Sequence, residues 1–304
     1  MDKKLEVKFL GKKLSSPLVL PAGVMDVSFS GMNYSFENGV GLVTTKSYTL
    51  NPRKGHISPV VVAYSEGLLN SMGLCNPGID DGIKEIDYLK EHTHKPVIVS
   101  IFATSTKDFI SLTHKANQSK ADFLELNLSC PNVADEFGTP LAGSPDKVYE
   151  IVSKVKEISN MPVIAKLSPN VYDIISIAKS VENAKADAIC MINTVGPGMI
   201  IDIRMKKPVL HNKFGGMSGT CIKPLAIKLI YLVSSAVNIP IIGMGGVSTG
   251  EDAIEFIMAG STLVGVGTAV YSRGIEVFDK INNEMKTFLN EESYNNINKI
   301  KRID

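Results

Sequence analysis

The 304-residue sequence predicts an α/β fold, a (β/α)8 TIM barrel, and three observations carry that expectation. Eight short segments are apolar and rich in β-branched residues, helical patterns lie between most of them, and polar or glycine residues gather where the apolar segments end. Strands that are apolar throughout and alternate with helices imply a parallel sheet covered by those helices. Eight such units close into a barrel, whose active site is built at the C-terminal ends of the strands.

The chain opens on Leu5-Glu6-Val7-Lys8-Phe9, which alternates and is followed by Gly11 and a second short run, so an N-terminal β-hairpin is expected as a lid over one end of the fold. The eight strands are expected at 18–22 (LVLPA), 42–47 (LVTTKS), 97–102 (VIVSIF), 123–129 (FLELNLS), 163–168 (VIAKLS), 188–194 (AICMINT), 240–245 (PIIGMG) and 263–268 (LVGVGT). Helical patterns cover 80–92, 106–118, 144–159, 171–184, 222–236, 249–259 and 275–290. Two carry start signals: Ser144-Pro145-Asp146 sets Pro in a first turn, and Ser248-Thr249-Gly250-Glu251 precedes an apolar run. Residues 50–79 are too long for an ordinary connection and are expected as an insertion beside the barrel mouth. Residues 131–143 form a second long loop, a candidate lid.

Composition narrows the partners. A net charge of +1 lacks the basic footprint of a nucleic-acid binder, so no nucleic-acid partner is expected. The four cysteines, Cys75, Cys130, Cys190 and Cys221, are far apart and form no Cys-x-x-Cys pair, which argues against a metal or iron-sulfur site within this chain. The first residues, MDKKLEVKFLGKKL, are interrupted by lysines, and no stretch approaches the roughly 18–20 apolar residues of a membrane span. A soluble, cytoplasmic protein with no membrane partner is the expectation.

The most informative stretch is NLSCPNV, Asn127 to Val133, which follows the apolar run Phe123-Leu124-Glu125-Leu126. Pro131 continues neither a ladder nor a helix, so the chain leaves the strand as a loop and carries Cys130 out with it. Asn127 and Asn132 flank that thiol with amides that both donate and accept, a set suited to a flat heterocycle with ring N–H and C=O edges. A free cysteine is often a small buried hydrophobe, and residue type alone leaves that alternative open. Farther on, the last two strands end in Gly243-Met244-Gly245-Gly246 and Gly265-Val266-Gly267-Thr268. Backbone amides exposed there form the phosphate cup common to barrels.

NLSCPNV resembles the signature of the class 1 dihydroorotate dehydrogenases, FMN enzymes of pyrimidine biosynthesis, and the similarity extends over about residues 5–290. The resemblance implies oxidation of (S)-dihydroorotate to orotate with Cys130 as catalytic base, on one FMN-binding barrel domain spanning residues 1–304. It implies flavin positions at Ala22, Gly23, Lys46, Ser47, Ser100, Asn127, Lys166, Ile192, Gly219, Gly245, Gly246, Gly267 and Thr268. It implies substrate positions at Lys46, Asn70, Met72, Gly73, Leu74, Asn127, Asn132, Asn193 and Thr194. The NAD-linked branch is favoured through Asn193-Thr194 and Asn76-Pro77-Gly78, which implies a homodimer core and a partner subunit carrying FAD and a 2Fe-2S cluster. Ser100 and the wording NSMGL look more like the fumarate-linked branch.

Rival readings stay open here. Dihydropyrimidine dehydrogenase-like proteins handle uracil or thymine, which lack a carboxylate for Lys46. Dihydrouridine synthases have a different cysteine motif and a basic helical domain. A non-catalytic flavin-binding subunit would not need Cys130 or the four amides.

Overall fold

The computed structural model describes residues 3–128 and 143–304. Its first element is the expected hairpin, β1 (Val7–Phe9) against β2 (Lys12–Leu14). Val7, Phe9 and Leu14 are buried, Phe9 meets Phe123 edge to face at 5.7 Å, and Lys12 pairs with Asp122 at 2.7 Å. Both partners lie where a barrel strand begins, so the hairpin closes the N-terminal end of the barrel and leaves the opposite end for chemistry.

The chain then lays down β3 (Leu18–Leu20), β4 (Leu42–Thr44), the hairpin β5 (Val61–Tyr64) and β6 (Gly67–Asn70), β7 (Val97–Ile101), β8 (Phe123–Asn127), β9 (Val163–Lys166) and β10 (Ala188–Met191). Four short strands follow, β11 (Val195–Gly198), β12 (Ile201–Asp202), β13 (Lys207–Pro208) and β14 (Gly215–Ser218), before β15 (Ile241–Met244) and β16 (Leu263–Gly265). Strands β3, β4, β7, β8, β9, β10, β15 and β16 form a closed, all-parallel barrel in that order, with β16 pairing back onto β3. The expected (β/α)8 barrel is what the chain builds. Register sets Ser100 beside Glu125, Asn127 beside Lys166, and Lys166 beside Cys190, so these polar side chains start from neighbouring positions on consecutive strands.

Local chemistry explains the helices. Over Pro145–Ile158, Val148, Ile151, Val152 and Val155 recur at helical spacing and are buried, each contributing about 1.5–3 kcal/mol against exposure. Ser144 caps that helix by accepting from the Lys147 amide, with Pro145 in the first turn. Thr249 caps Gly250–Met258 in a capping box closed by Asp252.

Two features depart from the expected pattern. A helix at Phe29–Glu37 fills the connection between the first two barrel strands. Inside the 50–79 insertion, β5 and β6 pair as a hairpin, and β14 and β11 extend it to a four-stranded antiparallel sheet beside the barrel mouth. The lid expected over Cys130, with Cys130 and Asn132, lies outside the described residues. Among the described residues no helix is long and apolar enough to cross a membrane, and no cluster of three or more His, Cys, Asp or Glu could hold a metal ion.

Candidate active site

A cavity of about 760 Å³ opens at the C-terminal ends of the barrel strands, within the usual range for a ligand site. Its walls combine strand ends with the antiparallel sheet beside them. Every described residue expected to meet cofactor or substrate lines it except Ser100, which is fully buried one layer below. Among the described residues Ser47 links Ser100 to the cavity, their hydroxyls being 2.9 Å apart.

Gly245, Gly246, Gly267 and Thr268 line this cavity together with Gly219. Gly246 has φ +89, which favours glycine, and a Cβ there would stand 2.8 Å from both the Gly219 carbonyl oxygen and Lys223 Cβ. Thr268 Oγ1 donates to Ser218 Oγ at 2.9 Å, fixing one wall of the same region. Glycine at these positions lets the backbone border the cavity without a side chain, which suits close approach of a phosphate group.

Two lysines line the cavity from strands three places apart in the barrel. Lys166 ends β9 and is 4% exposed; Lys46, two residues past β4, is 9% exposed. Buried charge is costly unless it is balanced. Behind Lys46 lies Asp26, itself 1% exposed, whose carbonyl oxygen accepts from the Lys46 amide at 3.1 Å and whose carboxyl accepts from the Gly23 amide. Burial pushes the Asp26 carboxyl above its ordinary range, against the opposing pull of Lys46, the Gly23 and Asp26 amides and Lys166.

The amide-bearing residues are held from behind. Asn70 Nδ2 donates to the Gly216 carbonyl at 3.3 Å, and Asn193 Oδ1 accepts from the Thr194 amide at 2.8 Å. Asn170 grips the turn after Asn193, its Nδ2 donating to Thr194 O at 3.1 Å and its Oδ1 accepting from the Gly196 amide at 3.0 Å. The segment from Met72 to Leu74 is fixed by Asn76, whose Nδ2 donates to Leu74 O at 2.7 Å, and by the His56 amide, which donates to Met72 O at 3.2 Å. The sequence reading missed Asp26 and Asn170 as supports, and neither stands in a local pattern that marks it.

The dihydroorotate dehydrogenase family model matches residues 4–289. The chain belongs to the dihydroorotate dehydrogenase family. A relative from Pyrococcus abyssi, the catalytic subunit of an NAD(+)-linked dihydroorotate dehydrogenase B, is 43% identical over 296 residues, covering 97% of each chain. Catalytic subunits of the same name from Thermoplasma acidophilum and Methanocaldococcus jannaschii are 44% and 41% identical, over 96% and 95% of this chain and 96% and 94% of their own. Membership makes the chain an oxidoreductase and implies a flavin cofactor for the cavity.

Proposed function

We propose that the protein is the catalytic subunit of an NAD-linked dihydroorotate dehydrogenase, oxidising (S)-dihydroorotate to orotate on one FMN-binding barrel domain in pyrimidine biosynthesis. The observation that carries this reading is the meeting of the glycine cup, two buried ammonium groups and the asparagine amides in one cavity of a chain from that family. The cavity residues fit FMN: the cup around Gly246 suits its phosphate, and Ala22, Gly23, Ser47, Ile192, Gly219, Gly245, Gly267 and Thr268 line the same space.

When bound, FMN supplies a hydride acceptor for C6 of dihydroorotate. The remaining work belongs to the chain. Cys130, as a thiolate, removes the C5 proton, since a thiol with an ordinary pKa near 8.5 is a serviceable base as pH rises towards that value. Lys46 meets the substrate carboxylate in a charge-assisted contact. Asn70, Asn127, Asn132 and Asn193, with Thr194, face the N–H and C=O edges of the ring, and Met72, Gly73 and Leu74 cover it. Lys166, which lines the same cavity, would supply positive charge to offset the negative charge that a bound flavin gains on reduction. Uracil or thymine would leave the Lys46 charge without a carboxylate.

Electrons leave through a partner subunit carrying FAD and a 2Fe-2S cluster, and the catalytic chains pair as a homodimer in the cytoplasm. Support for a protein interface comes from the exposed apolar side chains Ile201, Ile203 and Met205 on the β12–β13 hairpin, Ile203 being 83% exposed. The test is anaerobic. Dihydroorotate should bleach the bound flavin of the purified chain, and NAD should restore its colour only with the partner subunit present. Flavin that dihydroorotate leaves oxidised would sink the reading, and recovery with fumarate alone would move the chain to the fumarate-linked branch.

A further inference from the structure

Beneath the cavity floor a chain of hydrogen bonds joins Asn127 to a buried acid, Glu125, that the proposed chemistry does not use. Asn127 Nδ2 donates to Ser47 Oγ at 3.0 Å, Ser47 Oγ lies 2.9 Å from Ser100 Oγ, and Ser100 Oγ donates to a Glu125 carboxyl oxygen at 2.8 Å. Asn127 and Ser47 line the cavity, whereas Ser100 and Glu125 lie below it. All four side chains are buried, Glu125 being 1% exposed.

The chain has a direction, and Glu125 sets it. A carboxylate only accepts, and a hydroxyl has one proton to give. Ser100 therefore spends its proton on Glu125, so Ser47 supplies the proton of the bond between the two serines. With its own proton spent, Ser47 receives from Asn127, and only the NH2 end of that amide can give. The Cys190 thiol, on β10, is hydrogen-bonded to the same carboxylate; burial first and the Glu125 charge next hold it well above its ordinary pKa, so it stays protonated and is a second donor aimed at Glu125.

We propose that Glu125 is a positioning residue which, through Ser100 and Ser47, fixes the amide orientation of Asn127 and so decides which end of that amide faces the ring edges of a ligand. Without the carboxylate, Ser100 gives its proton to Ser47, Ser47 gives its own to the carbonyl end of Asn127, and the amide turns over. A reversed amide sets donor against donor at a ring N–H. The inference rests on the reading of the cavity as an orotate site.

The experiment titrates orotate into flavin-loaded protein and follows the change in flavin absorbance. Ser100→Ala cuts the chain by one oxygen atom, and Glu125→Met removes its anchor while keeping most of the side-chain volume. Each should bind flavin normally and weaken orotate about tenfold, the scale of one misdirected hydrogen bond. The double variant should lose no more than either single one, and Ser100→Ala should change nothing on a Ser47→Ala background. The second comparison decides the matter if Glu125→Met does not fold. Wild-type orotate affinity in flavin-loaded Ser100→Ala, or losses that add in the double variant, overturns the proposal while leaving the functional reading intact. Failure of the flavin-loaded wild type to bind orotate overturns both.

Discussion

The Asp26 carbonyl oxygen accepts from the Lys46 amide at 3.1 Å, and the Asp26 side chain turns back to the Gly23 amide, so one buried acid ties the loop after β3 to the loop after β4. Its carboxyl is held above the ordinary value of 3.8, by burial first. The folded state therefore keeps a proton that the unfolded chain has already released, and stability falls as pH rises from about 3.8 through the raised value. Asp26→Asn still offers an oxygen to Gly23 but has no proton to lose. The difference in Tm between variant and wild type should shift in the variant's favour between pH 4 and pH 8, and a gap that stays constant would count against a raised pKa.

Much of this arrangement is legible in the sequence because it depends on local pattern. The barrel strands are continuous apolar runs with polar ends, and the cup glycines sit immediately after the last two. The helix at Phe29–Glu37 is hidden because Gly31 interrupts it, no acidic residue marks its first turn and no basic residue its last. That glycine is required by a tertiary contact, since a Cβ there would stand 2.3 Å from the Met25 carbonyl oxygen. Strands β11 (VGPG) and β14 (GGMS) have little β propensity of their own and form through pairing with β6 and each other. Asp26 is silent in sequence because its role arises only when the chain returns with Lys46.

A phosphate held mainly by backbone amides tolerates changes in nearby side chains but not bulk at the cup itself. Gly246→Val places a branched side chain at φ +89 against the Gly219 carbonyl and Lys223. The variant should keep its far-ultraviolet circular dichroism and purify colourless. Folded protein with one FMN per chain would remove the cup from this position.

Cys130→Ala should bind orotate at close to wild-type affinity and lose turnover, because the amides hold the ring while the thiol takes the proton. Cys130→Ser should retain a trace of activity that rises with pH, a hydroxyl being a far weaker acid than a thiol. Turnover of the alanine variant near the wild-type rate at pH 7 would rule out the cysteine as base.

Lys46 decides between a carboxylated and a plain pyrimidine. In a cavity where its side chain is 9% exposed, an ammonium paired with a carboxylate makes a contact worth about 1.5–3 kcal/mol. Lys46→Met keeps most of the stem and removes the charge, so orotate affinity should fall by about one to two powers of ten. Uracil, with no carboxylate, should bind the two proteins alike. Because the same side chain borders the cofactor space, the comparison must be made by titrating each ligand into protein already loaded with flavin, not by comparing rates. Equal loss for orotate and uracil would mean that Lys46 shapes the cavity rather than reading the carboxylate, and would return the uracil-type enzymes to contention.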